Sequence, residues 1–187
     1  MTGMRYGTFE SMVRQYGRVQ GEEIFRTYTN IMAKLPAIII TENGIVGVHG
    51  GIPNKDLQSI KEINEKQGEV LVRQMTWNDP SDYVSERESG PRGGDTTEFG
   101  KNAFARFMDM IPAKVMVRAH QYPSNGFSLK FDARLATIFS NGSEKSRSSG
   151  YKHAVERAVF LAVSLIEPKN NFVKSDFIEI NYSNLDV

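Results

Sequence analysis

The chain has 187 residues, 40% of them hydrophobic, which is long enough for one globular core. Its 23 basic residues nearly cancel its 22 acidic ones, so the bulk charge gives no reason to expect a nucleic-acid or anionic-membrane partner. Cysteine is absent, which excludes a disulfide framework, a thiol nucleophile and cysteine-bound zinc, and leaves His, Asp, Glu and Asn as candidate ligands. No apolar run approaches a membrane span, and residues 1–7 lack the hydrophobic centre of a signal peptide, so the expectation is a soluble, cytoplasmic protein with no membrane partner.

Phe9, Met12, Val13 and Tyr16 fall at helical spacing and Gly17 ends the pattern. Ile24, Phe25, Tyr28, Ile31, Met32 and Leu35 mark a second helical face that stops at Pro36. Residues 1–36 therefore read as a helical hairpin, and 37–187 as the sheet-rich remainder of a single domain. Residues 37–40 and 45–49 are β-branched runs about an Asn-Gly turn, the strongest short hairpin signal. Leu57, Ile60 and Ile63 suggest a short surface helix, and 70–72 a brief element of undefined type. Residues 78–94, rich in Pro, Gly, Ser and Asp, read as one long loop of the kind that often carries function. Phe104, Phe107, Met108 and Ile111 give a third helix ending at Pro112, and 115–120 a strand that ends on a histidine. Residues 127–131 and 135–139 read as a hairpin, 141–150 as a polar stretch, and 158–166 with 172–180 as two antiparallel strands closing the sheet.

Two of the three histidines, His49 and His120, each end an apolar strand, where open α/β sheets place ligands. An imidazole there suits a borderline metal ion, and Gly50-Gly51 would keep side chains away from the metal or its substrate. The plainer reading is a hydrogen-bonded histidine at a strand terminus. Arg92, between Pro91 and Gly93-Gly94, could grip two phosphate oxygens or could be a solvated loop residue. Trp77, the only tryptophan, lines a groove or fills a core. Gly93-Gly94-Asp95 lacks the lysine of a nucleotide-binding loop, and His153 has no ligand pattern around it.

Five segments in order carry a resemblance: Val48-His49-Gly50-Gly51-Ile52-Pro53, Trp77-Asn78-Asp79-Pro80, Arg92-Gly93 with Phe99-Gly100, Val117-Arg118-Ala119-His120-Gln121, and Leu135-Ala136-Thr137-Ile138-Phe139-Ser140. Together they resemble the C-terminal motifs of the phosphoprotein phosphatases, metal-dependent serine/threonine phosphatases of the calcineurin-like metallophosphoesterase superfamily. The resemblance implies an α/β fold, the C-terminal portion of a four-layer metallophosphatase β-sandwich with flanking helices. It implies His49 and His120 as ligands of one ion in a centre of two divalent metals (manganese, iron or zinc), Arg92 as a phosphate-binding arginine, and Trp77 beside the substrate groove. The implied reaction is hydrolysis of phosphoserine or phosphothreonine in a protein by a metal-activated water, without a covalent phosphoenzyme.

The family's Gly-Asp-x-His-Gly, Gly-Asp-x-Val-Asp-Arg-Gly and Gly-Asn-His-Glu motifs, which hold most of the metal ligands, do not occur in these residues. The expectation is therefore an N-terminally truncated domain that needs its other half, or a partner chain or regulatory subunit, for activity. A bare sheet edge is expected beside residues 45–48. Asn141-Gly142-Ser143-Glu144 stands where the family shows Ala-Pro-Asn-Tyr, so no site tyrosine is assigned and Tyr151 is not given that role. Two other functions fit the same residues: a non-catalytic fragment that binds a partner through the groove near Trp77, or a hydrolase of small phosphate esters such as dinucleoside polyphosphates.

Overall fold

In the computed structural model, which describes residues 7–64, 68–140, 157–164 and 166–181, the two helical patterns become α1 (Thr8–Tyr16) and α2 (Arg18–Met32). Gly17 joins them at φ 77° and ψ 165°, an extended positive-φ conformation open essentially to glycine alone. The helices meet where Gly21 faces Val13: a β-carbon on Gly21 would lie 2.6 Å from the Val13 Cα. Phe9 and Phe25 pack edge-to-face beside this crossing, 5.2 Å between centroids. This pair forms one compact unit, Met1–Pro36, and Ala37–Val187 forms a second.

The second unit begins with the hairpin β1 (Ile38–Ile40) and β2 (Ile45–Val48), paired antiparallel. Its turn is held by Gly44 at φ 86° and by Thr41 N–H donating to the Ile45 carbonyl at 2.9 Å. A 3-10 turn at Ile60–Asn64 precedes α3 (Gly68–Trp77), and β3 (Asp79–Pro80), β4 (Arg87–Ser89) and β5 (Thr97–Phe99) follow. Next come α4 (Lys101–Met110), β6 (Val115–Arg118), β7 (Phe127–Lys130), β8 (Leu135–Ile138), β9 (Arg157–Leu161) and β10 (Phe177–Asn181).

The main sheet runs β1-β2-β6-β8-β7, parallel at its centre and antiparallel at both margins. Strand alternation gives it two buried faces. Val46, Met116 and Leu135 pack with Leu71 and Met75 of α3 and with Phe104, Phe107 and Met108 of α4. Ile45, Val115 and Ala136 point the other way and meet Val159, Phe172 and Phe177. Phe127 stacks on Phe177 across this second core, 4.2 Å between centroids.

Several expectations change here. Residues 70–72 belong to a ten-residue helix, whose inward face is Leu71, Gln74 and Met75. The 78–94 stretch is not one loop: it holds β3 and β4, which pair with β5 into a small sheet of order β3-β5-β4. These strands are two or three residues long, too short for a hydrophobic period to mark them. β9 and β10 pair with each other and form a separate ribbon over the second core, rather than extending the main sheet. No bare edge borders residues 45–48, because β2 lies between β1 and β6; β1 and β7 are the outer strands of this sheet among the described residues. β6 ends at Arg118, not His120, because Ala119 N–H turns to the His49 carbonyl at 3.0 Å. The 141–150 stretch, Tyr151 and His153 lie outside the described residues. No helix among the described residues is long and apolar enough to cross a membrane.

Candidate metal and phosphate site

β2 and β6 are parallel neighbours, so the residues that follow them emerge at the same end of the sheet. His49 follows β2 directly and His120 follows β6 by two residues, and their rings face each other edge-to-face, 5.3 Å between centroids at 60°. His120 has φ 62°, an uncommon left-handed conformation for a side-chain-bearing residue and of the kind held at functional sites. Trp77, at the C-terminal end of α3, sets its ring perpendicular to the His120 imidazole at 5.1 Å and 89°. It is half-buried, not a core tryptophan, and forms a wall against this imidazole.

Beneath the imidazoles lies a buried ionic cluster. Arg118, whose side chain is fully buried, donates Nη2–H to Asp79 Oδ1 at 2.9 Å and Nη1–H to Gln121 Oε1 at 2.7 Å. Asp79 accepts a second bond on Oδ2, from Arg92 Nε at 3.1 Å. The Arg92 side chain is 41% exposed, against 6% for Asp79, so the loop arginine reaches inward to a buried carboxylate. The Arg92-bearing segment is laced to the His49 loop by Asn78. This buried amide donates to Ile52 O and to Asn54 Oδ1, each at 2.7 Å, and accepts from Thr97 N–H at 2.8 Å.

Burial is the largest cause that lowers both histidine pKa values, and at His49 the Arg118 guanidinium adds to it. At His120 burial outweighs the opposing pull of Asp79, and Arg92, Arg118 and His49 lower it further, to about 4. Both rings are therefore neutral at neutral pH, the state a metal ligand requires. Burial also pushes Arg118 down to about 10 despite Asp79, which still leaves it charged. His120 Nε2 is buried and makes no hydrogen bond among the described residues. A neutral ring with an unpartnered nitrogen, beside a second imidazole, suits a shared divalent cation. The fit is partial, since no group of three or more His, Asp or Glu side chains able to hold a metal occurs among the described residues.

Gly50 and Gly51 do not leave space for a substrate, as the sequence suggested. Both donate their N–H groups to the Met75 carbonyl at 2.8 Å. A β-carbon on Gly50 would press into the Thr76 carbonyl and one on Gly51 into the Phe99 ring, so the glycines let the His49 loop close onto the end of α3. The sequence reading gave no role to Asp79 or Arg118. The available signal was the charged fourth residue of Val-Met-Val-Arg, which alternation places on the buried face with Met116. A surface cleft of about 350 Å³ lies elsewhere, lined by Asp82, Lys101, Lys130 and Asp132 among others, and shares none of these site residues.

The fold is that of a phosphoprotein phosphatase. A solved serine/threonine phosphatase from Saccharomyces cerevisiae, described as similar to human phosphatase PP5, superposes with a TM-score of 0.69 at 16% identity, over 95% of this chain and 55% of that one. No family model matches the chain. Its sequence relatives are serine/threonine-protein phosphatases. The catalytic subunit of serine/threonine-protein phosphatase 4 from Kluyveromyces lactis is 31% identical over 141 residues, 72% of this chain and 44% of the relative. The same subunit from Saccharomyces cerevisiae is 30% identical over an equal span. A probable serine/threonine-protein phosphatase of Encephalitozoon cuniculi is 27% identical over 140 residues, 30% of its length. The chain thus spans less than half the length of these curated relatives.

Proposed function

We propose that this chain contributes part of a two-metal phosphatase centre: His49 and His120 hold one divalent ion, Arg92 grips the phosphate, and Trp77 borders the substrate. The observation that carries the reading is the pair of facing, neutral imidazoles, one with a buried nitrogen that lacks a partner, beside an arginine on a buried carboxylate. Bound divalent ions would supply an activated water and neutralise charge on the phosphate oxygens. Manganese, iron and zinc all suit nitrogen and carboxylate ligands. The chain's own part is to hold the imidazoles neutral, fix the His120 ring against Trp77, and present a guanidinium to the phosphate.

Two imidazoles do not complete a coordination shell, so the centre needs ligands beyond those found among the described residues. The kinship with phosphatase 4 catalytic subunits supports phosphoserine and phosphothreonine in proteins as the substrate class, and a regulatory subunit as a partner.

Cobalt(II) titrated into the purified chain is expected to shift the His49 and His120 ring-proton resonances together, with weak affinity. His49→Ala or His120→Ala should each abolish the response of the remaining ring. Independent shifts of the two rings, or none at millimolar metal, would overturn the shared-ion assignment.

A further inference from the structure

We propose that Asp79 is the positioning residue for Arg92, holding the guanidinium through Nε and leaving both terminal nitrogens free for a two-oxygen grip on phosphate; this rests on the phosphate-binding reading above. Arg92 stands exposed on a tight turn whose bonds hold the backbone and not the Arg92 side chain. Gly93 and Gly94 both take positive φ, 71° and 67°, and the turn closes on itself through Gly90 N–H to Thr96 O at 2.9 Å and Gly93 N–H to Gly90 O at 3.1 Å. An exposed arginine on such a turn samples many rotamers, and a grip on phosphate would have to select one.

Asp79 has the opposite character. It is buried, it lies on β3 in register with Glu98 of β5, and its Oδ1 is held by Arg118 at 2.9 Å. Arg118 is itself fixed by Gln121, so the carboxylate has one orientation whether or not Arg92 engages it. The remaining oxygen, Oδ2, takes only the Arg92 Nε–H among the described residues, at 3.1 Å. The Arg92 Nη groups make no hydrogen bond among the described residues. Each member of the cluster therefore has its own part: Arg118 anchors the carboxylate, the carboxylate orients Arg92, and Arg92 keeps the edge that pairs with two oxygens. Two guanidinium groups on one carboxylate also leave a net positive charge, which favours an anion.

The test is the mobility of the Arg92 Nε–H, measured by 15N relaxation in the full 187-residue chain, with inorganic phosphate as the ligand probe. In the unaltered chain the order parameter is expected near that of rigid backbone. In Asp79→Asn it should fall below about 0.6, while phosphate affinity drops about tenfold for loss of preorganisation. Asp79→Asn leaves the Arg118 charge without its counter-ion, so Asp79→Asn/Arg118→Gln is measured beside it and should show the same loosened Arg92. The positioning role is overturned if Arg92 in the unaltered chain is as mobile as exposed Arg14, or if neither variant loosens it. A rigid Arg92 whose signals ignore phosphate sinks the phosphate-binding reading instead, with the Asp79 pairing supported.

Discussion

Gly50 shows how closely the residues behind the site are fitted. Its missing β-carbon is the space taken by the Thr76 carbonyl, whereas Gly47, three residues earlier on β2, has nothing within 4 Å of that position. Gly50→Ala is expected to lower the unfolding free energy by about 1–3 kcal/mol through overpacking, while Gly47→Ala leaves the urea midpoint unchanged or raises it. Equal midpoints for the two variants would show that the His49 loop yields easily. His49, His120, Arg92 and Trp77 were all visible in the sequence, because a residue type at a strand end or in a loop can be read along one dimension. The Asp79–Arg118 pair was not, because its 39-residue separation closes only when β3 comes beside the end of β6. The lone nitrogen of His120 was hidden for the same reason: a missing partner is a property of the surroundings, not of the sequence.

Among the elements, α4 was legible and the sheet next to it was not. Phe104, Phe107 and Met108 repeat at helical spacing and are buried, as the pattern requires. On the opposite side of α4, Arg106 bonds Asp56 Oδ2 at 2.7 Å and Glu86 Oε2 at 2.6 Å, and so links the helix to the segments before and within the small-sheet region. Burial pushes the Asp56 carboxyl up, but hydrogen bonds from Arg87 and Arg106 outweigh it and hold the group below its ordinary value. The Arg106 hydrogen bond likewise holds Glu86 down. With both carboxyls depressed in the folded state, the stability they lend is present at neutral pH and is lost as the pH falls through and below the ordinary carboxylate range. Arg106→Gln should therefore flatten the decline of the urea midpoint between about pH 5 and about pH 3. Parallel curves for the two proteins would mean that this exposed network contributes nothing to folding, as many surface pairs do.

For the whole molecule, burial is divided unevenly between the two units. The helices of the first bury only Gly21 and Phe25, and Tyr16, Val19, Tyr28, Ile31 and Leu35 stay exposed. The second has fully buried residues on both faces of its main sheet, Val46 and Met116 on one and Val115 and Ala136 on the other. Amides of α1 and α2 are accordingly expected to exchange with deuterium well before those of β2, β6 and β8. Matching protection in both units would show that the helices gain stability from something other than their own packing. The mixed α/β class was legible in the changes of period along the chain. The placing of the β9–β10 ribbon was not, since alternation states which residues of a strand are buried but not which sheet they join.

The close of the His49 loop onto α3 makes that helix a lever with two arms. Met75, near its C-terminal end, receives both glycine N–H groups that follow one imidazole, and Trp77, two residues on, lies against the other. A tilt or slide of α3 would move both rings at once and change the gap between them. The outer face of α3, where Val70 and Arg73 are exposed, is thus mechanically tied to the spacing of the two rings without touching either.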